Sequence, residues 1–90
     1  MNGWVIWSPY DNAPIWHITF SRTRAGAIRN FCVNVDSKSY AEATAEAQSG
    51  RVWLSARLTP ANRAVWRSYR AEGFKAVHAY LTVADCRVQQ

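Results

Sequence analysis

The stretch from Thr59 to Val83 constrains the fold most, because it predicts a helix that runs directly into a strand. Thr59 has the hydroxyl that an N-cap needs, and Pro60 suits the first helical position, where a missing N–H costs nothing. Gly73 predicts the helix end, since glycine adopts the left-handed conformation without steric penalty. The apolar stripe of this helix follows the i, i+4, i+8 spacing and consists of Ala61, Val65 and Tyr69.

The residues after Gly73 alternate with a period of two, which predicts a strand. One face of this strand is apolar and carries Val77, Ala79, Leu81 and Val83. The other face carries Ala76, His78, Tyr80 and Thr82. We expect the apolar face to pack against the helices, with Leu81 and Val83 in the core.

Two short apolar runs at the N-terminus, residues 3–8 and 15–20, flank a segment rich in turn formers. Together they predict a β-hairpin. The second run alternates, so its core-facing side would carry Trp16, Ile18 and Phe20. His17 would then lie on the other face of the same strand.

A helix is predicted after the hairpin, because Ser21 and Thr23 offer caps and an apolar stripe follows at helical spacing. The stripe consists of Ile28, Phe31, Cys32 and Val35. Residues 36–50 predict a further short helix, since Ser39 and Glu42 have capping-box spacing. This alanine-rich helix is the candidate for a mobile or inserted segment.

The order of these elements, ββα(α)(β)αβ, predicts a single α+β domain over residues 1–90. Its sheet would be rich in antiparallel pairs and would carry the helices on one face. Residues 51–58 fit either a short strand or a helical turn, which is why one strand of the formula is in parentheses. The polar tail at residues 85–90 is expected to fray.

The charge is strongly positive, at +5, and nine of the eleven basic residues are arginines. Arginine binds carboxylate and phosphate through two parallel hydrogen bonds, so this charge predicts an anionic partner. Three of the arginines recur at i, i+4, i+7 on the predicted C-terminal helix. The predicted partner-binding face consists of Arg57, Arg63, Trp66, Arg67, Arg70 and Lys75. The alternative is a solvated helix face whose charge only aids solubility.

A second hypothesis is a basic nucleic-acid-binding protein, in which the arginine stripe follows phosphates. The aromatic part of that surface would be His17, His78 and Tyr80, on the sheet face away from the helices, where they could stack on bases. Against this hypothesis, the sequence has no helix-turn-helix, zinc-finger or ribonucleoprotein signature. A protein partner with an acidic surface is therefore the leading expectation, and DNA or RNA is the alternative.

Catalytic motifs are missing from the sequence, which has no GxSxG, no HExxH and no paired carboxylates at catalytic spacing. Cys32 and Cys86 form no CxxC motif, and the two histidines lack further ligands at metal spacing. We expect a protein that is not an enzyme and that has no cofactor and no metal. The N-terminus lacks the basic region of a signal peptide and no run reaches membrane length, which predicts a cytoplasmic protein with no membrane partner.

Two motifs carry a resemblance to a known group of proteins. They follow the Trp-containing hairpin and read Ser21-Arg22-Thr23-Arg24-x-x-Ala27-Ile28-x-x-Phe31 and Trp66-x-x-Tyr69-x-x-x-Gly73-Phe74-x-x-Val77. This pattern resembles small accessory proteins of bacteriophages and prophages, with residues 36–58 outside the resemblance. The matched positions are caps, core aromatics and the glycine stop, so no catalytic residues come with it.

The resemblance implies a phage-type protein that works in the bacterial cytoplasm as a monomer or small homo-oligomer. By analogy with anti-CRISPR proteins, which are small, mutually dissimilar and block effector complexes, it implies binding and inhibition of a host macromolecule. A defence nucleoprotein complex is the partner that this analogy favours.

Overall fold

The protein is a curled four-stranded antiparallel sheet with four helices, in a computed structural model that describes residues 1–50 and 58–89. The sheet order is β2-β1-β3-β4. In chain order the elements are β1 (Asn2–Ser8), β2 (Ala13–Pro14), α1 (Trp16–Thr19), α2 (Arg24–Val35), α3 (Ser37–Gln48), α4 (Pro60–Ala71), β3 (Lys75–Leu81) and β4 (Cys86–Val88). The predicted α+β class with an antiparallel sheet is confirmed.

The register of β1 and β3 assigns each side chain to one of two sheet faces. Ile6 lies opposite Ala76, and both pack with the helices, so they define the helix-side face. Directly opposed residues share a face and neighbours along a strand alternate. Val5 and Val77 therefore lie on the opposite face.

Phe31 of α2 is at the centre of the core between the helices and the helix-side face. Its ring is edge-on to Tyr69 at 5.0 Å and to Trp66 at 5.9 Å, and it lies 5.2 Å from Phe74. Edge-to-face aromatic pairs of this kind contribute about 0.5–1.5 kcal/mol beyond their buried area. The remaining buried members of this core are Ile6, Ala27, Ile28 and Cys32.

The second arm of the predicted hairpin is shorter than expected, and the predicted strand over residues 15–20 is wrong. The strand ends at Pro14, and residues 16–19 form α1, a single helical turn inserted into the arm. The hydroxyl of Thr19 replaces the missing strand partner, since its oxygen accepts the Ile6 N–H at 3.0 Å. The Ile15 N–H donates to the Ile6 carbonyl at 2.8 Å, and the ladder resumes where Ser21 bonds Trp4.

Because α1 replaces the predicted strand, the side chains that the sequence placed together on its core-facing side no longer share one face. Ile18 is 48% exposed, because it lies on the outer side of the helical turn. Phe20 instead covers the opposite sheet face at Gly3, where a Cβ would come within 2.6 Å of the ring. The predicted core positions of Leu81 and Val83 are also wrong, since Leu81 is half-buried and Val83, beyond the end of β3, is fully exposed.

The predicted ends of α4 are confirmed. The Thr59 hydroxyl accepts the Asn62 N–H at 3.1 Å, and the Asn62 side-chain oxygen accepts the Thr59 N–H at 3.2 Å. Pro60 follows as the first helical residue, and Gly73 has a φ of +107° just past the helix end. The helix predicted over residues 36–50 is present as α3, with Asp36 rather than Ser39 as its N-cap.

Asn62 is buried and joins three helices through one hydrogen-bond network. Its side-chain NH₂ donates to the Ser39 hydroxyl of α3 at 2.9 Å. The Cys32 thiol of α2 donates to the backbone carbonyl of Asn62 at 3.4 Å. Glu42 of α3 accepts the Thr59 hydroxyl at 2.9 Å, and Glu46 forms an ion pair with Arg29 of α2. The candidate inserted segment is thus bonded to both neighbouring helices.

The C-terminal residues are more ordered than the sequence predicted. Residues 86–88 pair with the end of β3 as β4, so the expected frayed tail is wrong for these positions. The turn before them is closed by Thr82, whose hydroxyl bonds the Asp85 carboxylate at 2.9 Å. The predicted strand or turn at residues 51–57 lies outside the described residues.

Replacing the Thr19 hydroxyl tests the role of this side chain as a strand partner. We expect Thr19→Val to lower the free energy of unfolding by about 1–3 kcal/mol, because the buried Ile6 N–H loses its acceptor. Thr44→Val is the matched control, since the Thr44 hydroxyl bonds the Tyr40 carbonyl on an exposed helix surface. Urea unfolding followed by circular dichroism gives both values, and equal losses in the two variants would contradict this role.

The buried amide network predicts a second difference in stability. We expect Ser39→Ala to destabilise the fold by about 1–3 kcal/mol, because the Asn62 NH₂ loses its acceptor in a buried site. Ser37→Ala, at an exposed position two residues earlier, should change stability by less than about 0.5 kcal/mol. Thermal and chemical unfolding of both variants would show whether the buried hydroxyl matters.

Candidate functional site

The outer side of α4 presents three exposed arginines, Arg63, Arg67 and Arg70, which we term the α4 arginine face. All six acidic residues of the chain lie within the described ranges, and none of them is within salt-bridge distance of these guanidinium groups. Glu72, the acidic residue next to the helix end, accepts the Tyr10 hydroxyl instead. The positive charge of this face is therefore uncompensated among residues 1–50 and 58–89.

The inner side of α4 holds this face in a fixed orientation. Asn62, Trp66 and Tyr69 recur at i, i+4, i+7 and point toward α2 and the core. The helix is capped at both ends, by the Thr59–Asn62 pair and by the glycine turn. The arginines thus project from a rigid element, which reduces the ordering cost of any contact that they make.

Trp66 does not belong to this face. Its side chain is only 7% exposed and packs edge-on against Phe31. Its indole N–H is buried and has no acceptor among the residues that the structure describes. The i, i+4, i+7 spacing of Asn62, Trp66 and Tyr69 was a signal in the sequence for this burial, and Trp66 contributes to the core instead of to a contact surface.

The predicted face also included two basic residues that flank α4, Lys75 and Arg57. Lys75 is exposed, but it lies opposite Trp7 on the opposite sheet face, so it is separate from the α4 arginine face. There it lines a groove of about 400 Å³ with Trp7, Val77, Val88 and Gln89. Arg57 lies outside the described residues.

The predicted nucleic-acid surface is divided by the structure. His17 lies in the α1 turn and stacks on Trp16, with ring centroids 3.8 Å apart, so its placement in a strand is wrong. His78 and Tyr80 lie on β3 and are exposed. They occupy the helix-side face, not the face away from the helices, because His78 lies opposite Trp4 in the same alternation as Ile6 and Ala76.

Two residues that sequence reasoning missed complete this cluster. The Trp4 ring lies against His78 with centroids 3.6 Å apart, and Arg87 of β4 lies directly opposite Tyr80. We term Trp4, His78, Tyr80 and Arg87 the sheet-end surface. Alternation places His78 and Tyr80 on one face of β3, but only the pairing of β3 with β1 and β4 adds Trp4 and Arg87, and the sequence contains no signal for that pairing.

The thiols are poorly suited to nucleophilic chemistry. Burial is the main reason that the pKa of Cys32 is raised to about 11, and the nearby negative charge of Asp36 adds to it. Burial and the charge of Asp85 also raise the pKa of the Cys86 thiol. Both cysteines are therefore protonated at neutral pH, and the thiolate is the reactive form.

Among the described residues, the groove between α3 and α4 also has no convergent catalytic groups. It has a volume of about 700 Å³ and an apolar lining, with Asp36, Lys38 and Glu42 among its residues. Both carboxylates have structural roles, since Asp36 caps α3 and Glu42 accepts the Thr59 hydroxyl. Across residues 1–50 and 58–89, no group of three or more His, Cys, Asp or Glu side chains could hold a metal ion.

None of the helices in the described part of the chain has the length and apolar character needed to cross a membrane. A comparison of the chain with protein-family models, curated proteins and solved structures found no match. The candidate site therefore rests on the geometry of the two surfaces.

Thiol labelling tests the burial of Cys32. At about pH 8 we expect a thiol reagent such as dithionitrobenzoate to modify Cys86 at least tenfold faster than Cys32 in the folded protein, because the buried Cys32 thiol is protonated. Both should react at similar rates in denaturant. Cys86→Ser should remove the fast phase, and a fast phase that persists in this variant would show that Cys32 is accessible.

Proposed function

We propose that this protein is a non-catalytic binding protein that contacts an acidic surface of a partner macromolecule through the α4 arginine face. The observation that carries the proposal is the set of three exposed arginines on one helix, none of which has an acidic partner in residues 1–50 and 58–89. The inner side of the helix packs against the core through Asn62, Trp66 and Tyr69, and the α4 arginine face is the charged side of α4 that is open to a partner.

Arginine is the side chain best suited to such a contact. Its planar guanidinium offers donors for bidentate binding to carboxylate or phosphate and is weakly hydrated. Arg63 and Arg67 are one helical turn apart, and Arg70 is three residues further along. A row of this kind fits an extended acidic surface, and the excess positive charge would also accelerate association at low ionic strength.

The partner class rests on charge and on the sequence resemblance together. The resemblance to phage accessory proteins supports inhibition of a host protein or nucleoprotein complex, with the bacterial cytoplasm as the place of action. The scarcity of convergent titratable groups in the two grooves supports stoichiometric binding rather than catalysis. The partner that fits both considerations is a host complex whose acidic surface normally serves another ligand.

Charge reversal on α4 tests this proposal. We expect Arg67→Glu with Arg70→Glu to keep the fold, because both residues are exposed, and to weaken partner binding at least tenfold, or about 1.4 kcal/mol. The measurement is affinity capture from a bacterial lysate with quantitative mass spectrometry, followed by titration of the enriched partner.

The matched control reverses two charges elsewhere, with Arg22→Glu and Lys75→Glu, which are exposed and lie off the α4 arginine face. A partner that is retained by this control and lost by the α4 variant supports the proposal. Equal affinity of the wild type and the α4 variant for every enriched partner would refute it.

A further inference from the structure

We propose that the sheet-end surface, made of Trp4, His78, Tyr80 and Arg87, binds single-stranded nucleic acid by base stacking. This surface belongs to the sheet and not to α4, so the inference does not rest on the function proposed for the α4 arginine face.

The register places three aromatic rings next to one another on one face of the sheet, with Trp4 half-buried against the core and in ring contact with His78. Trp4 and His78 are directly opposed on β1 and β3, and their ring planes are inclined by 36°. Tyr80 follows two residues later on β3, on the same face, at a distance of about 7 Å along the strand. Aromatic side chains spaced in this way on a sheet are a recurrent platform for unpaired bases.

The exposure of these rings changes abruptly along the helix-side face. Ile6 is fully buried and Ala76 is half-buried against the core, whereas His78 is exposed and Tyr80 is 45% exposed. The helices thus cover only the first part of this face of β3. Because Tyr80 is this exposed, its side chain contributes little to the core, and its ring can stack on a ligand.

The charge around the rings favours a polyanion. Arg87 lies beside Tyr80, and its side chain is 79% exposed. Its contact with Asp85, at 3.8 Å between solvent-exposed groups, is weak and leaves most guanidinium donors free. On the other side of Trp4, the bridging residue Ser21 leads into the exposed Arg22 and Arg24.

Acidic side chains are rare at this end of the molecule. Asp85 is the acidic residue in the β3–β4 turn, next to Arg87. The other five lie in the β1–β2 turn, in or beside α3, and after α4, and are Asp11, Asp36, Glu42, Glu46 and Glu72. The sheet-end surface therefore combines stacking area with local positive charge.

Single-stranded nucleic acid fits this combination better than a duplex does. The bases of a duplex are stacked on each other, so rings on a sheet face cannot reach their planes, whereas an unpaired strand exposes them. Among the described residues, the surface has one arginine, and Asn2, opposite Tyr80, is the single amide on this face of β1 and β3, which is too few groups to read a base sequence. We therefore expect sequence-tolerant binding that depends on stacking and on phosphate charge.

The test is fluorescence anisotropy with a labelled oligothymidine and the same strand in duplex with oligoadenine, at about 50 mM salt. We expect tighter binding of the single strand. Tyr80→Ala should weaken it about tenfold, since one base loses its stacking partner. Tyr40→Ala is the matched control, because Tyr40 is 61% exposed on α3, away from the sheet.

Two further readouts separate stacking from charge. Arg87→Gln should lower the slope of log affinity against log salt by about one, whereas Tyr80→Ala should leave this slope unchanged. In NMR spectra, the imidazole signals of His78 should shift on addition of the oligonucleotide. The imidazole signals of His17, which stacks on Trp16 away from this surface, should not shift.

Three outcomes would overturn the inference. The first is an absence of oligonucleotide binding at about 50 mM salt. The second is equal affinity for the single strand and the duplex. The third is binding that survives Tyr80→Ala but is lost in Arg67→Gln with Arg70→Gln, which would place the nucleic acid on the α4 arginine face. Because the neutral α4 variant leaves the sheet-end surface intact, failure here is distinguishable from failure of the proposed function.

Discussion

The buried amide of Asn62 is the interaction on which the arrangement of the helices depends. It is 2% exposed, and its side-chain amide bonds Ser39 of α3 and the Thr59 cap of its own helix, while the backbone carbonyl of Asn62 accepts the Cys32 thiol of α2. A buried amide loses about 1–3 kcal/mol for each partner that it lacks, so only one rotation of α4 satisfies all of them. That rotation turns Trp66 and Tyr69 inward, and it leaves the arginines in solvent.

Local patterns predicted most of this fold, and the failure in the hairpin has a specific cause. The caps of α4, the glycine stop and three members of the α2 stripe depend on residues within one or two turns of each other, so the sequence contains their signals. The fourth predicted member of that stripe, Val35, is 39% exposed. The turn at residues 16–19 depends on a long-range substitution, in which the Thr19 hydroxyl takes the place of a backbone partner for Ile6. Alternation in this run suggests a strand, because it does not reveal that a side chain supplies the hydrogen bond.

The two candidate surfaces also differ in how far local sequence patterns could predict them. The α4 arginine face could be predicted, because helical spacing alone places Arg63, Arg67 and Arg70 on one side. The sheet-end surface could be predicted only in part, since His78 and Tyr80 share a strand face by alternation. Its other half comes from β1 and from a three-residue strand that the sequence suggested would fray. Pairing between distant strands is set by the whole sheet, and a register shift of one residue would reverse every face.

The acidic and basic side chains of this protein differ in their contacts, and this difference links the fold to binding. Five of the six acidic residues have structural roles: Asp36 caps α3, Glu42 and Glu46 bond neighbouring helices, Glu72 accepts the Tyr10 hydroxyl and Asp85 closes the β3–β4 turn. The exposed arginines of α4 have no such partners in the described ranges. Folding thus uses most of the carboxylates as hydrogen-bond or ion-pair partners of other residues, whereas the α4 arginine face lies in solvent with no acidic partner in residues 1–50 and 58–89. Because like charges repel within a compact chain, an anionic partner would relieve a repulsion that the fold itself does not neutralise.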